Sequence, residues 1–276
     1  KTKNKEVKTI GTLNDSPAMG GINKFEDGVF EFLVTKIKRL IWGTYIKKMD
    51  KILVLDYLNQ NYMIKFFNKE ASVVRSGLNL EDFLNENPRK KITDRLNILS
   101  VGSFCKWRRF EDTLRALKML KDSQKLFHFS HIGTDKADKS YANKIYNLAE
   151  ELKLSKNITF HGQVSDKEYL KIQANSDVLV FANHPQTWGL IIFESLASGL
   201  PVIATKTCGG AEILTDKKNI LKVNEKDPTS IYRALNKIYH NEELIEKIRS
   251  NGITFVKNNI TWEMYAKKMI EIFKMS

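Results

Sequence analysis

Cysteine is scarce in this 276-residue chain. Cys105 and Cys208 are the only two, and they have neither disulfide nor metal-ligand spacing. They read as reduced, buried thiols, which excludes a disulfide-stapled secreted scaffold. The five histidines are nearly as few. His131, His161 and His184 are scattered without ligand spacing and read as core or loop residues, so no metal site is expected. Five prolines and 14 glycines exclude low-complexity disorder. No apolar run approaches membrane-spanning length, the amphipathic stretch 35–46 is too short to span, and no secretory leader is visible. No Gly-x-Gly-x-x-Gly follows any predicted strand, which argues against a nicotinamide dehydrogenase.

What the chain does have is apolar mass and positive charge. Hydrophobic residues make up 42% and aromatics 10%, enough to bury a core. The net charge is +13. It is spread rather than focused: residues 1–90 hold 16 Lys and Arg against 11 Asp and Glu, the remainder 29 against 21. No basic stripe interleaved with aromatics and no nucleic-acid motif appears, so nucleic acid is not an expected partner. An anionic membrane surface and a merely lysine-rich solvated exterior both account for the charge.

From about residue 97 the pattern alternates regularly. Strands are predicted over 97–102, 126–132, 157–162, 177–182, 202–204 and 219–223. Helices are predicted over 109–121, 139–152, 166–174, 228–239, 242–255 and 261–273. Repeated strand–helix units specify a doubly wound parallel sheet. Residues 1–90 form a partial second unit, with strands at 9–13, 51–55 and 72–75 and helices near 31–45 and 59–67. The run 85–91 is charged, contains Asn and Pro, and reads as a linker. Two facing Rossmann-like units place a site in the cleft, at the carboxyl ends of the strands.

The most informative stretch lies at 184–205. It reads as loop, short helix, tight turn and buried strand. Gly189 is expected to open the helix with a bare backbone; Gly199 ends it and Pro201 forbids its continuation. Amide N–H groups at such a helix start, with the positive end of the dipole, suit a phosphate, so Gly189 and Leu190 are candidate phosphate contacts. Glu194, inside the helix, can accept hydrogen bonds from sugar hydroxyls or simply complement the helix dipole. A phosphate seat beside a hydroxyl acceptor is what a nucleotide-sugar needs.

The same stretch, Gln186-Thr187-Trp188-Gly189-Leu190 through Glu194 to Gly199-Leu200-Pro201-Val202, resembles the donor-site motif of the retaining GT-B glycosyltransferases of family 4, the group 1 glycosyl transferases. That motif has two Glu residues eight positions apart; Glu194 matches the second and Gln186 stands at the first. The resemblance extends to Ser76-Gly77-Leu78-Asn79, which is similar to the family's hinge-side turn, and to Thr261-Trp262-Glu263, at the start of its last helix. It implies two facing Rossmann-like domains (GT-B): an incomplete N-terminal acceptor-side domain over 1–90, a donor-binding C-terminal domain over 91–260, and a helix over 261–276 returning toward the N-terminal one. The chain begins at Lys1 without Met and soon enters a strand-like run, so it reads as lacking the front of the N-terminal domain.

The resemblance also implies roles. After the strand at 97–102, the family carries an Arg and then a Lys that reach the diphosphate; Ser103 stands at the first position and Arg108 at the second, with Lys106 or Arg109 as compensating cations. The turn Gly162-Gln163-Val164 stands where the family meets the nucleotide base through its backbone, and Cys208-Gly209-Gly210-Ala211-Glu212 resembles its Gly-Gly loop near the donor, though Gly-Gly is equally a plain turn. Gln186 faces the transferred sugar, able to hydrogen-bond but without negative charge. Asn14 stands where many members have His near the anomeric carbon; Asp15 is a helper there or a turn former before Pro17. The expected function is transfer of a sugar from a UDP- or GDP-sugar to a hydroxyl of a glycan or lipid-linked glycan, with retention, with neither metal nor cofactor. The expected place is the cytoplasm, peripheral at the inner membrane face. Asn14, Ser103 and Gln186 keep open a relative that binds nucleotide or glycan without turnover. A nucleotide-sugar 2-epimerase on the same architecture is disfavoured by Gln186, because it needs ordered carboxylates in the cleft.

Overall fold

A computed structural model describes residues 8–13, 29–84, 94–184 and 188–274. The strands lie in two sheets, both parallel throughout. The smaller has the order β1 (Ile10–Leu13), β2 (Lys51–Val54), β3 (Ser72–Val73), with helices α1 (Val29–Ile46) and α2 (Tyr57–Phe67) as crossovers. The larger contains β4 (Arg95–Val101), β5 (Leu126–Ile132), β6 (Ile158–Gly162), β7 (Val178–Phe181), β8 (Val202–Thr205) and β9 (Leu221–Val223), in the order β6-β5-β4-β7-β8-β9.

That order has one consequence for function. The chain enters at β4, winds outward to β6, then returns beside β4 as β7 and winds the other way to β9. The reversal between β4 and β7 opens a crevice at their carboxyl ends, because the flanking loops leave in opposite directions. The helices between these strands are α3 (Phe110–Asp122), α4 (Lys139–Glu151), α5 (Asp166–Ala174) and α6 (Ile191–Ala197). The chain closes with α7 (Pro228–His240), α8 (Glu242–Asn259) and α9 (Trp262–Lys274).

Each element follows from local chemistry. β7 reads Val-Leu-Val-Phe and β8 Val-Ile-Ala-Thr, and every residue in both is buried, as a strand covered on both faces requires. α3 buries Leu114, Leu117 and Leu120 at helical spacing. Side-chain caps start the helices where their first amides lack intrahelical acceptors. Asp138 accepts from the Tyr141 amide (2.9 Å), Asp227 from Ser230 (3.0 Å) and Asn241 from Leu244 (2.9 Å). Pro228 occupies the first turn of α7, where its missing N–H costs nothing.

The larger sheet is buried on both sides. One core holds Leu96, Phe129, Leu114 and Leu235; the other holds Leu99, Phe181, Phe193, Leu200 and Val256. Leu55 and Leu78, from the segment of the smaller sheet, join the second core. Ile272 of α9 packs on Leu53 and Val74 of that segment, and the Lys51 ammonium donates to the Ile272 carbonyl (3.3 Å). No helix among the described residues is long and apolar enough to cross a membrane.

Several element bounds shift by a few residues, and two of the shifts lie at the site. α6 starts at Ile191, two residues after Gly189, because Gly189 adopts φ +67° and so lies outside the helix. α3 starts at Phe110, because Arg109 is also left-handed, at φ +52°. The expected linker at 85–91 lies outside the described residues.

Candidate functional site

The loop after β4 is pinned from beneath. Phe104 is fully buried and packs edge-on against His131 and Tyr146, while its amide donates to the Thr134 carbonyl (3.0 Å). The loop also lies close to its neighbour: a Cβ on Gly133 would sit 2.0 Å from the Gly102 carbonyl oxygen, so only glycine fits there. The Gly102 amide donates to Ile132 (2.8 Å) and the Gly133 amide to Gly162 (2.9 Å). The carboxyl ends of β4, β5 and β6 are thereby stitched together.

From this loop a single-turn 3-10 helix, Lys106–Arg108, brings Arg108 back over the end of β4. Its Nη1 lies 3.4 Å from the Val101 carbonyl, and its guanidinium carbon sits 5.8 Å from the Phe181 ring centre. Arg108 therefore bridges the mouths of β4 and β7. The His184 amide ties the two loops together by donating to the Trp107 carbonyl (2.7 Å).

The turn before α6 forms the facing wall. Gly189 is left-handed, and a Cβ there would press on the Phe181 ring at 3.1 Å. Ile192 and Phe193 amides bond back to Gly189 and Leu190 (3.0 and 2.9 Å). Amides earlier in the turn have no intrahelical acceptor by geometry. Trp188 stacks on Phe193 with ring centres 4.5 Å apart, which anchors the turn to the core.

Glu194 follows, half-buried. The Tyr169 hydroxyl donates to its Oε2 (3.0 Å), and the Gln173 side-chain amide donates to that hydroxyl (2.8 Å). Burial raises the Glu194 pKa above the usual carboxylate value, and the Tyr169 hydrogen bond works against that rise. Val164, Tyr169, Leu190 and Ile191 pack against one apolar cluster, so the turn after β6 and the turn before α6 share a base.

A third wall comes from the smaller sheet. Glu212, in the 3-10 turn Gly209–Ile213, accepts from Arg75 Nη2 (2.6 Å) and from the Tyr57 amide (3.0 Å). Asp56 is fully buried, accepts from the Asn59 amide (2.7 Å), and lies against Gly209, where a Cβ would approach its carboxyl carbon to 2.7 Å.

Residues 82–255 match the family model described as "Glycosyl transferases group 1". The chain belongs to the group 1 glycosyl transferases. An uncharacterized glycosyltransferase of Methanocaldococcus jannaschii, MJ1178, is 28% identical over 232 residues, which is 82% of this chain and 61% of that protein. The O-antigen chain mannosyltransferase RfbU of Salmonella typhimurium is 23% identical over 77% of this chain and 57% of its own length. This chain thus spans about three fifths of those two relatives. The crystal structure of Anabaena HepE in complex with UDP and glucose superposes with a TM-score of 0.81 at 12% identity, covering 97% of this chain and 71% of HepE. The fold is accordingly GT-B.

In this group 1 glycosyl transferase the described candidates lie on the carboxyl-end side of the larger sheet. Arg108, Gly189 and Leu190 lie on loops and turns at the carboxyl ends of β4 and β7, Glu194 in the first turn of α6, Gly162 at the end of β6 and Val164 just after it. Gly162 is left-handed at φ +68° with open space beside it. Ser103 sits on the same rim, between Gly102 and the anchored Phe104. Gln186 lies outside the described residues, as do Asn14 and Asp15, which follow Leu13 at the end of β1. Arg109 does not stand in for the arginine missing at Ser103. Its Nε holds Asp112 (2.9 Å) and its Nη1 faces Glu111 (3.2 Å), so its charge is committed to the start of α3.

Sequence reasoning gave no role to Tyr169, Gln173 or Arg75, and named Glu212 only as part of the turn after Cys208. Tyr169 and Glu194 are 25 positions apart on different helices. Only the strand order brings them together, and no local spacing announces it.

Proposed function

We propose that this chain transfers a sugar from a nucleoside diphosphate sugar to a hydroxyl of a glycan or lipid-linked glycan, with retention of configuration. The observation that carries the reading is Glu194 held by Tyr169 beside the left-handed turn at Gly189, with Arg108 across the crevice. Family membership and the UDP and glucose in the HepE crystal support it. Glu194 accepts the ribose hydroxyls as a charged acceptor. The turn Gly162-Gln163-Val164 meets the base. Backbone amides at Gly189 and Leu190 receive the distal phosphate, and Arg108 neutralises the departing charge.

In this reading the acceptor oxygen attacks the anomeric carbon on the face from which the diphosphate leaves. The carbon–acceptor oxygen bond forms as the carbon–phosphate oxygen bond breaks. The acceptor proton passes to the departing phosphate oxygen. Gln186 holds sugar hydroxyls, and Asn14 and Asp15 lie toward the acceptor. The cationic work falls to Arg108 and the amides rather than to a metal. RfbU, an O-antigen chain mannosyltransferase, supports a surface polysaccharide or its lipid-linked precursor as acceptor.

An anionic membrane surface is a further partner in this reading, at the inner face of a cytoplasmic membrane. On α1, Leu33, Ile37, Leu40, Ile41 and Tyr45 are exposed, Leu40 by 74%. Residues 33–48 hold five basic side chains and no acidic one. An apolar stripe flanked by cations suits the headgroup boundary of anionic lipid. Full-length protein should co-sediment with phosphatidylglycerol vesicles, lose binding at high salt, and lose it on I37S/L40S. Absence of binding, or a dimer that the same variant dissolves, rejects this partner.

Calorimetric titration with UDP and with GDP, each with and without Mg²⁺, tests the donor reading. One nucleotide should bind independently of Mg²⁺ and lose affinity in Glu194→Ala. A second reading, binding without turnover, is favoured by Asn14, Ser103 and Gln186. It predicts nucleotide binding with no sugar transfer until Gln186→Glu restores it.

A further inference from the structure

We propose that Tyr169 is a positioning residue that makes Glu194 a one-sided acceptor, and so sets the discrimination between ribose and deoxyribose in the donor. This rests on the reading of Glu194 as the acceptor of donor hydroxyls. Tyr169 and Gln173 are one helical turn apart on α5, so both face α6. The Gln173 side-chain amide donates to the Tyr169 oxygen at 2.8 Å, which leaves the phenol proton directed to Glu194 Oε2 at 3.0 Å. A hydroxyl has one proton to give, so a donor on its oxygen orients the other bond.

Gln173 is only 2% exposed, so the chain of bonds starts from a fixed point. The Tyr169 ring packs against the cluster that contains Leu190 and Ile191, which fixes the other end. Glu194 Oε2 is thus occupied. Glu194 Oε1 takes no hydrogen bond from a described residue and is not fully buried, so it is the oxygen left for a ligand hydroxyl. The carboxylate can rotate about its last torsion unless something holds it. Tyr169 holds it, and one oxygen is presented in one orientation. A single oriented acceptor rewards a hydroxyl that points at it and is left unpaired when that hydroxyl is missing.

The test is a binding cycle on the full-length protein, using whichever of UDP and GDP binds and its 2′-deoxy and 3′-deoxy counterparts. Tyr169→Phe keeps the ring and its packing and removes one hydroxyl. It should weaken the ribonucleotide about 10-fold and leave the discriminated deoxynucleotide nearly unchanged, so that the preference collapses. Gln173→Met should shrink the preference in the same direction with the ring and hydroxyl both kept. Equal weakening of ribo- and deoxynucleotide by Tyr169→Phe marks a merely structural residue and overturns the proposal. Glu194→Ala separates the two readings. If it leaves the preference intact, Glu194 is not the acceptor. If it abolishes the preference while Tyr169→Phe does not, Glu194 stands and Tyr169 falls.

Discussion

Arg75 and Glu212 join the two halves of the molecule through a single charged hydrogen bond, Nη2 to Oε1 at 2.6 Å. Arg75 follows β3 of the smaller sheet, and Glu212 lies in the turn after β8 of the larger one. Their side chains are 23% and 18% exposed, so water screens the pair only in part. The Arg75 guanidinium also lies 5.1 Å from the Tyr57 ring centre and 5.7 Å from Trp188. The contact therefore touches the same tryptophan that anchors the turn at Gly189.

Removing one partner leaves the other poorly solvated. Arg75→Met strips the carboxylate of its cation but leaves the Tyr57 amide bonded. Glu212→Ala removes both bonds and should cost more, about 1–3 kcal/mol. In a chain of this size that lowers the thermal midpoint by a few degrees. A double-mutant cycle on the midpoints should give a favourable coupling, and additive losses would show that the pair does not stabilise the fold.

The alternation of strands and helices was readable because its ends carry strong local signals. β5 ends at Gly133, and α5 starts after Ser165, whose hydroxyl accepts from the Glu168 amide (3.3 Å); both elements run as expected from sequence. The onset of α6 was not readable. Gly189 and Leu190 look like a helix start, and only the left-handed φ of Gly189 delays the helix by two residues. Gly189, Leu190, Arg108 and Glu194 could be named from the family's spacing. Their partners could not, since the pairings Tyr169–Glu194 and Arg75–Glu212 depend on which strands become neighbours. Helical and strand periodicity carries no record of that.

Gly189 gives the sharpest local prediction. An alanine there must hold φ near +67° and place its Cβ 3.1 Å from Phe181. The backbone strain alone is about 1–2 kcal/mol. Relaxing it pulls the turn toward ordinary φ and tips the first amides of α6 away from the crevice. Gly189→Ala should unfold at slightly lower denaturant and lose nucleotide affinity by a larger factor than its stability loss. Unchanged affinity would detach this turn from the phosphate.

His131 sets an acid limit on the fold. It is fully buried among Phe104, Phe110 and Phe160, and burial holds its pKa down to about 3. The unfolded chain binds a proton near the usual histidine value, so between there and about pH 3 it holds more protons than the native state. Stability from this residue is complete above the unfolded value and falls as pH drops through that window. His131→Phe keeps an aromatic ring without a titrating group. The variant should lose less stability than the native sequence between pH 6.5 and pH 4, read from denaturant midpoints. Parallel curves would place the acid sensitivity elsewhere.

Glu194 titrates with the opposite sign. Burial is the main cause of its raised pKa, opposed by the Tyr169 hydrogen bond, so the folded protein holds its proton to higher pH than the unfolded chain does. Stability from this group is greatest below the ordinary carboxylate value and declines as pH rises through the raised one. Ligand binding runs the other way, because only the carboxylate is a charged acceptor for hydroxyls. Nucleotide affinity should therefore climb as pH rises through the pKa of Glu194, in the range where the unliganded fold loses a little stability. Glu194→Gln should flatten both curves at once and leave affinity about 10-fold lower at neutral pH. Calorimetric titrations and denaturant midpoints across pH 4.5–8 on the same two proteins check this. If the variant keeps the native pH dependence of binding, the titrating group is on the nucleotide phosphate rather than on Glu194.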